Sequence, residues 1–498
     1  MKQIFYKSTR GDRRLFTSSQ AILQGISEDG GLFVPDSIPD LTHEINSIVD
    51  MNYKELSYLV MSEFFTDFDE SELRECVGRA YDSKFDTENI VELKKVSNVY
   101  FMELYHGPTL AFKDMALSIL PYLMKVSAKK NDFNKDILIL TATSGDTGKA
   151  ALESFSGVDR IKIIVLFPKN GVSKIQEMQM VTQEGDNTCV IGLNGNFDDA
   201  QTGVKNIFKD SFFNKKLFDM GYVLSSANSI NIGRLIPQIV YYFYGYASMV
   251  KNGQIDKNEK INVVVPTGNF GNILAAYYAK SMGLPIKKLI CASNDNNVLT
   301  DFINKGIYDK NRDFFVTISP SMDILISSNL ERLLYLISDC DCSEVKQLMN
   351  SLNTNGEYSI SQNMKDGLRD FYGNFATQKE TLDSIKEIFD SDKYLIDTHT
   401  AVAYSVYKKY LEETNDNTKV LIASTASPYK FTKFVMKALD SKYSYMDDFS
   451  LIKEMNKIGF VNIPDSINDL ENKEILHKIV CDKNQIRTKI LDFLNNYK

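Results

Sequence analysis

From Val99 onward the chain alternates apolar runs of strand length with helical segments, and polar residues follow each run at once. The units DILILTATSGDTGKAAL, RIKIIVLFPKNGVSKIQEM, TCVIGLNGNFDDAQTGVKNIF, YVLSSANSINIGRLIPQIVYYFY, INVVVPTGNFGNILAAYYAK, KLICASNDNNVLTDFI and VLIASTASPYKFTKFVMKAL all share this order. Near-continuous apolar strands are buried on both faces, which calls for helices on both sides and a parallel sheet. The pattern therefore predicts an α/β fold. In open sheets of this kind ligands bind outside the carboxyl ends of the strands, so the polar stretches are where chemistry is expected.

Other parts of the chain read differently. Residues 1–98 show helical spacing in Tyr53, Leu56, Leu59, Val60 and in Leu73, Val77, Ala80, plus a glycine turn and short strand in DGGLFVP. They read as a mostly helical lead-in domain. Residues 300–395 are helix-rich and charged, and the tail from about 440 reads as a surface helical extension. With 498 residues, 43% hydrophobic and 24% charged, the chain has room for two or three cores. A net charge of -8 speaks against an extended nucleic-acid surface. The six cysteines are scattered apart from Cys340 and Cys342, the pattern of reduced thiols rather than of a disulfide framework or a zinc site. The start is polar and basic, and no apolar run approaches the ~20 residues of a spanning helix. A cytoplasmic protein with no metal, membrane or nucleic-acid partner is expected.

Five polar stretches carry candidate chemistry. In HGPTLAFKDMAL, Lys113 stands on apolar flanks at a helix start, where desolvation lowers an ammonium toward the neutral amine that attacks carbonyl carbons. The same residues suit a solvated first-turn lysine with Asp114 as a cap. In VPTGNFGN, Gly268 and Gly271 let backbone N–H groups converge at a helix start, a nest for a phosphate. There is no GK[ST] and no GxGxxG, so a monophosphate fits better than a nucleotide triphosphate or a dinucleotide. In TATSGDTG, Thr143, Ser144 and Thr147 with the amides around Gly145 form a second anion site fit for a carboxylate, and Asp146 is free to cap the helix. NSINIGR sets Asn228, Ser229 and Arg234 before a helix, a combination that can fork onto a phosphate. STASPYKF offers Thr425, a neutral hydroxyl at a strand end.

Taken together and in this order, the stretches resemble the threonine synthases, a branch of the fold-type II, tryptophan-synthase-like pyridoxal-phosphate enzymes. The resemblance runs from YKSTRG and DGGLFVP through HGPTLAFKDMAL, TSGDTG, NSINIGR, VPTGNFGN, SPSMDILISSNLERL, DTHTAVAY and STASPYKF, about Tyr6 to Phe431.

The resemblance implies a fold-type II architecture: two open, mostly parallel α/β sheet domains behind a mainly helical N-terminal domain. The expected division is 1–98, then 99–128 with 241–498 as the larger cofactor domain, and 129–240 as the smaller one. It implies pyridoxal 5'-phosphate bound through Lys113, its phosphate wrapped by Gly268, Asn269, Phe270, Gly271 and Asn272, and its ring nitrogen met by Thr425. It further implies O-phospho-L-homoserine as substrate, with the α-carboxylate on Thr143, Ser144, Gly145 and Thr147. The leaving phosphate falls to Ser229 and Arg234, helped by Asn228. A monomer or homodimer is expected.

Two positions depart from the pattern. Many relatives carry asparagine where Asp146 stands, so contact with the cofactor and helix capping both stay open for it. Histidine often stands at the place of Ser427, and Thr425 is unaffected. His106 and His399 lie inside motifs and read as packed, hydrogen-bonded histidines. A dehydratase or phospho-lyase on a related amino acid, or a cofactor-free nucleotide-binding relative, are the competing readings.

Overall fold

The apolar runs assemble into two separate sheets. The computed structural model describes residues 3–495 except Ser144, Asn170 and Phe460, and leaves aside the side chains of Phe197 and Asp198. The larger sheet has six strands, in the order Phe371–Phe375, Ile286–Ser293, Ile261–Pro266, Val420–Ser424, Val99–Glu103, Glu92–Val96. Every neighbouring pair is parallel except the last, a hairpin. The smaller sheet orders Ile479–Cys481, Thr188–Leu193, Ile161–Pro168, Asp136–Ala142 and Tyr222–Ser225, all parallel. The chain is thus α/β with two open, mostly parallel sheets. Burial explains the composition of the central strands: every residue of Ile261–Pro266 and of Val420–Ser424 is buried.

The N-terminal part is mainly helical, with Ser18–Gln24, Tyr53–Phe64 and Glu70–Ala80, plus an antiparallel ribbon of Tyr6–Ser8 against Phe33–Pro35. Leu56, Val60, Leu73, Val77 and Ala80 are buried at the predicted spacing, while Leu59 is half-buried. Asn52 and Glu55 close a capping box at the start of the second helix.

Three boundaries differ from the expected division. Strand Glu92–Val96 lies before residue 99 but pairs with Val99–Glu103 in the larger sheet. The 240/241 boundary falls inside one continuous helix, Ile232–Lys251, which packs on the helices Gly271–Ser281 and Tyr53–Phe64. The tail is no mere surface extension, nor does all of it belong with the larger sheet: Ile479–Cys481 forms an edge strand of the smaller one. Ile486, Ile490 and Leu494, one helical stripe, join Leu138, Leu140, Ile164, Leu166 and Ile191 in its outer core. A three-residue strand whose partner lies almost 300 residues earlier carries no local signal, although the helix's four-residue spacing was readable. Among the described residues no helix is long and apolar enough to cross a membrane.

Candidate active site

Loops at the carboxyl ends of parallel strands in both sheets supply the groups around Lys113: Asp146 and Arg234 from the smaller sheet, Lys430 from the larger. The loop after Val99–Glu103 carries Lys113, and that loop is clamped to the one after Val420–Ser424. Phe112 N–H donates to the Thr425 carbonyl at 2.8 Å, Ser427 N–H donates to the Leu110 carbonyl at 3.0 Å, and Ala111 bridges Ala426. Thr425 is buried there. Lys113 takes the cap position of a four-residue helix, Asp114–Leu117, with its side chain 12% exposed. Burial pushes its ammonium below the ordinary lysine range; Asp146 opposes this, while Lys430 and Arg234 add to it.

Asp114 does not cap that helix. Its carboxylate turns back to accept the Thr109 N–H at 2.8 Å and the Thr109 hydroxyl at 2.5 Å, closing the loop that aims Lys113. Burial raises its pKa to about 6.

Asp146, from the smaller sheet, is the hub of the pocket. Its Oδ2 lies 3.6 Å from Lys113 Nζ and accepts the Ser321 hydroxyl at 2.7 Å. Its Oδ1 lies 3.3 Å from Lys430 Nζ and accepts from Gln176 Nε2 at 2.9 Å. Burial opposes ionisation, yet Lys430 and Lys113 hold the carboxyl far below the usual carboxylate range. Asp146 thus does not serve as the helix cap. Thr143 Oγ1 does that work, accepting the N–H groups of Gly145 and Gly148, each at 2.9 Å. Both acceptor sites of Thr143 are therefore occupied, and only its hydroxyl hydrogen remains for a ligand. Ser144 lies outside the described residues. Thr147 is half-buried and Asn228 exposed, and neither side chain hydrogen-bonds the described residues of the cluster.

The glycine loop is shaped for backbone contact. Phe270 sits at φ 62°, the left-handed region, as the cap residue of helix Gly271–Ser281, which starts without a side-chain cap. At Gly268 a Cβ would stand 2.9 Å from the Ser321 carbonyl oxygen. Asn269 O accepts from Asn329 Nδ2 at 3.0 Å, and that amide also reaches Ser229 Oγ at 3.3 Å, so glycine loop and rim share one partner. Asn272 Oδ1 accepts from Tyr241 and Tyr242 hydroxyls, whereas its Nδ2 is buried with no partner among the described residues.

Arg234 is 4% exposed. Its Nη1 donates to the Ala227 carbonyl at 2.6 Å, and among the described residues its Nε has no partner and no carboxylate pairs with it. Burial lowers its pKa to about 10. These two orphaned donors, with the uncapped helix start and a desolvated lysine, fit a phosphorylated aldehyde cofactor and a second anion beside it.

His106 and His399, the two histidines inside the motifs, are hydrogen-bonded side chains. His399 accepts the Ser321 N–H at Nε2 and faces Asp397 with Nδ1 at 2.7 Å. His106 sits between Asp86 and Glu103. Sequence reasoning assigned no role to Ser321, Lys430, Gln176 or Asn329. Three of them stand in the quoted motifs SPSMDILISSNLERL and STASPYKF, which was the signal on offer; Gln176 had none.

The whole chain can be set beside known proteins. A family model described as pyridoxal-phosphate dependent enzyme matches residues 86–425. Models of the threonine synthase N terminus and C-terminal region match residues 5–81 and 400–483. Threonine synthase of Schizosaccharomyces pombe is 39% identical over 475 residues, 89% of this chain and 91% of that protein. The chain belongs to the threonine synthase family of pyridoxal-phosphate-dependent enzymes. A crystal structure of pyridoxal-phosphate-bound threonine synthase from Brucella melitensis superposes with a TM-score of 0.88 at 33% identity, covering 99% of each chain. The yeast threonine synthase structure gives 0.88 at 32%, again covering 99% of each. Human threonine synthase-like 1 is 40% identical over 437 residues, 85% of this chain, and the chain covers 58% of that protein's length.

Proposed function

We propose that the chain is a pyridoxal-phosphate-dependent threonine synthase, converting O-phospho-L-homoserine and water into L-threonine and phosphate. The observation that carries this reading is the charge balance of the pocket: Arg234 is buried, with no counter-ion among the described residues, in the same pocket as a desolvated Lys113. A buried guanidinium without an anion is costly, and a phosphate supplies both the charge and the acceptors for its fork.

Lys113 would hold the cofactor's aldehyde carbon, the backbone of Gly268, Asn269, Phe270, Gly271 and Asn272 its phosphate, Thr425 its ring nitrogen, and Asp146 would stand near its ring oxygen. When bound, the cofactor supplies an electron sink for the carbanion formed at Cα. A neutral hydroxyl such as that of Thr425 does not hold the ring nitrogen protonated, which moderates that sink and favours elimination and replacement over transamination. Once the substrate's amine displaces it from the aldehyde carbon, Lys113 would be free to take and return protons at Cα and the neighbouring carbons. Ser229 and Arg234, with Asn228, hold the phosphate that leaves Cγ; Thr143, Ser144, Gly145 and Thr147 orient the α-carboxylate while water adds at Cβ. The reading extends to a cytoplasmic enzyme, monomeric or homodimeric.

The test compares phosphate or ammonia release from O-phosphohomoserine, O-phosphoserine and threonine. Turnover of the first alone is expected, and equal turnover of all three overturns the substrate assignment. The cofactor's visible band, at about 410 nm for a lysine-bound aldehyde, should vanish in Lys113→Ala. It should survive in Lys149→Ala, because Lys149 is bonded to Glu153 and Gln183. Absence of the band in the unaltered chain after pyridoxal phosphate is added would overturn the cofactor reading.

A further inference from the structure

Lys430 is an anomaly among the lysines. It is 2% exposed, with no exposure of its side chain, and a buried ammonium is expensive unless its charge is used. Its Nζ donates to the Thr109 carbonyl at 2.7 Å and lies 3.3 Å from Asp146 Oδ1. Ser427 and Pro428 fix it in the turn Pro428–Phe431, five residues past Thr425.

Among the described residues Asp146 is the one carboxylate in ion-pair reach of Lys113, and the two lysines share it. Lys430 and Gln176 engage Oδ1, while Ser321 donates to Oδ2, the oxygen nearer Lys113. Lys113 at 3.6 Å therefore feels the carboxylate without owning it. Arg234 also bears on Lys113, the His399 ring lies by Asp146, and the Asp114 carboxyl faces Lys430. Were Asp146 free to swing onto Lys113, it would favour the ammonium, which cannot attack a carbonyl.

We infer that Lys430 is a positioning residue: by holding the Asp146 carboxylate away from Lys113, it keeps the Lys113 amine available as a nucleophile. This rests on the reading of Lys113 as the cofactor-binding amine and names the device that prepares it. Lys430 repels the Lys113 ammonium and Asp146 attracts it, so removing one or the other should move Lys113 in opposite directions.

Competitive acetylation of the cofactor-free protein with acetic anhydride, followed by mass spectrometry of the Lys113 peptide, reads the amine directly. Exposed Lys379 serves as internal standard. Between about pH 6 and about pH 10, Lys430→Gln and Lys430→Met should move the Lys113 profile to higher pH. Labelling at about pH 8 should slow by about threefold or more. Asp146→Asn, nearly isosteric, should move it to lower pH and speed labelling, while Lys430→Arg keeps the original profile. A loosened pocket would push both neutralising changes toward an ordinary lysine. Unchanged Lys430→Gln labelling, or a shift in the same direction as Asp146→Asn, overturns the inference. Should the neutral Lys430 variants fail to fold, slower or unchanged labelling in Asp146→Asn does so alone. Because the readout needs no cofactor, failure of the unaltered chain to take up pyridoxal phosphate would defeat the functional reading separately.

Discussion

Gly268→Ala tests whether the glycine loop is shaped for close backbone approach. The added methyl would stand 2.9 Å from the Ser321 carbonyl oxygen and 3.2 Å from Met322 Cα, and both are backbone atoms that no rotamer change can withdraw. Nor can the facing turn retreat. Asn294 Nδ2 ties it to Thr317 Oγ1, Ser319 Oγ and Asp323 Oδ1 at 2.9, 3.0 and 2.7 Å, and His399 holds the Ser321 N–H. The glycine loop itself must therefore shift by about half an ångström to reach ordinary contact. Overpacking of this kind costs about 1–3 kcal/mol, which, if borne by the bound state, weakens pyridoxal-phosphate binding roughly 5- to 150-fold. Gly271→Ala is the internal control: its methyl meets Asn329 Nδ2 at 3.4 Å, an ordinary contact, in a helix where alanine is favoured. Equilibrium titration of the visible band gives both affinities, and thermal unfolding without cofactor separates loss of fold from loss of binding. Wild-type affinity in Gly268→Ala, or equal weakening in both variants, would refute the reasoning.

Arg234→Met removes a buried charge that has no counter-ion among the described residues, so urea unfolding without ligand should show stability unchanged or raised by up to about 2 kcal/mol. Stabilisation by phosphate should disappear while the Lys113 band persists; a bleached band or a marked loss of stability would mean that Arg234 is structural. His106 gives a pH dependence. Burial would lower its pKa, but the hydrogen bonds its ring donates to the Asp86 and Glu103 carboxylates outweigh burial and raise it to about 9. A raised folded-state pKa contributes stability in full below the ordinary histidine range, and that contribution is lost as pH rises toward about 9. Since Asp86 is half exposed, the loss should be on the order of 1–2 kcal/mol. It should be visible in unfolding measured across that window and absent in His106→Gln.

What was legible in the sequence shares one property: each stretch carries its chemistry within a few contiguous residues after a strand. Lys113 on its apolar flanks, the glycines of VPTGNFGN and the guanidinium of NSINIGR could be found that way. Ser321 and Lys430 could not, because serine and lysine are common and only tertiary pairing gives them a partner. Ser321 meets Asp146 across 175 residues and Lys113 across 208. Asp146 and Asp114 show the converse. Each follows a loop at a helix start, where local rules offer a cap, and in each case a longer-range demand wins. Thr143 supplies the cap that frees Asp146 for two lysines, and Asp114 is spent on Thr109. The tail escaped for a related reason, since Ile479–Cys481 acquires meaning only beside Thr188–Leu193.

The mostly helical lead-in domain is wired into the anion sites through one side chain. Arg332 is fully buried, and its fork spends each arm on a different segment: Nε on the Phe33 carbonyl at 2.9 Å, Nη2 on the Ile230 carbonyl and Nη1 on Asn329 Oδ1. Asn329 in turn touches Asn269 and Ser229. Next to it Glu331 takes Arg10 in a two-pronged pair at 2.9 and 2.7 Å and the Thr9 hydroxyl at 2.5 Å. A planar guanidinium offers these donors in fixed directions. A shift of the Ser229 rim that kept its bond to Arg332 would turn the whole fork, and with it the amide that holds the glycine loop. The rim and the glycine loop therefore move together or pay with a broken bond in a buried site, where an unpaired donor costs about 1–3 kcal/mol. The DGGLFVP strand at Phe33 is the fixed point against which both are set.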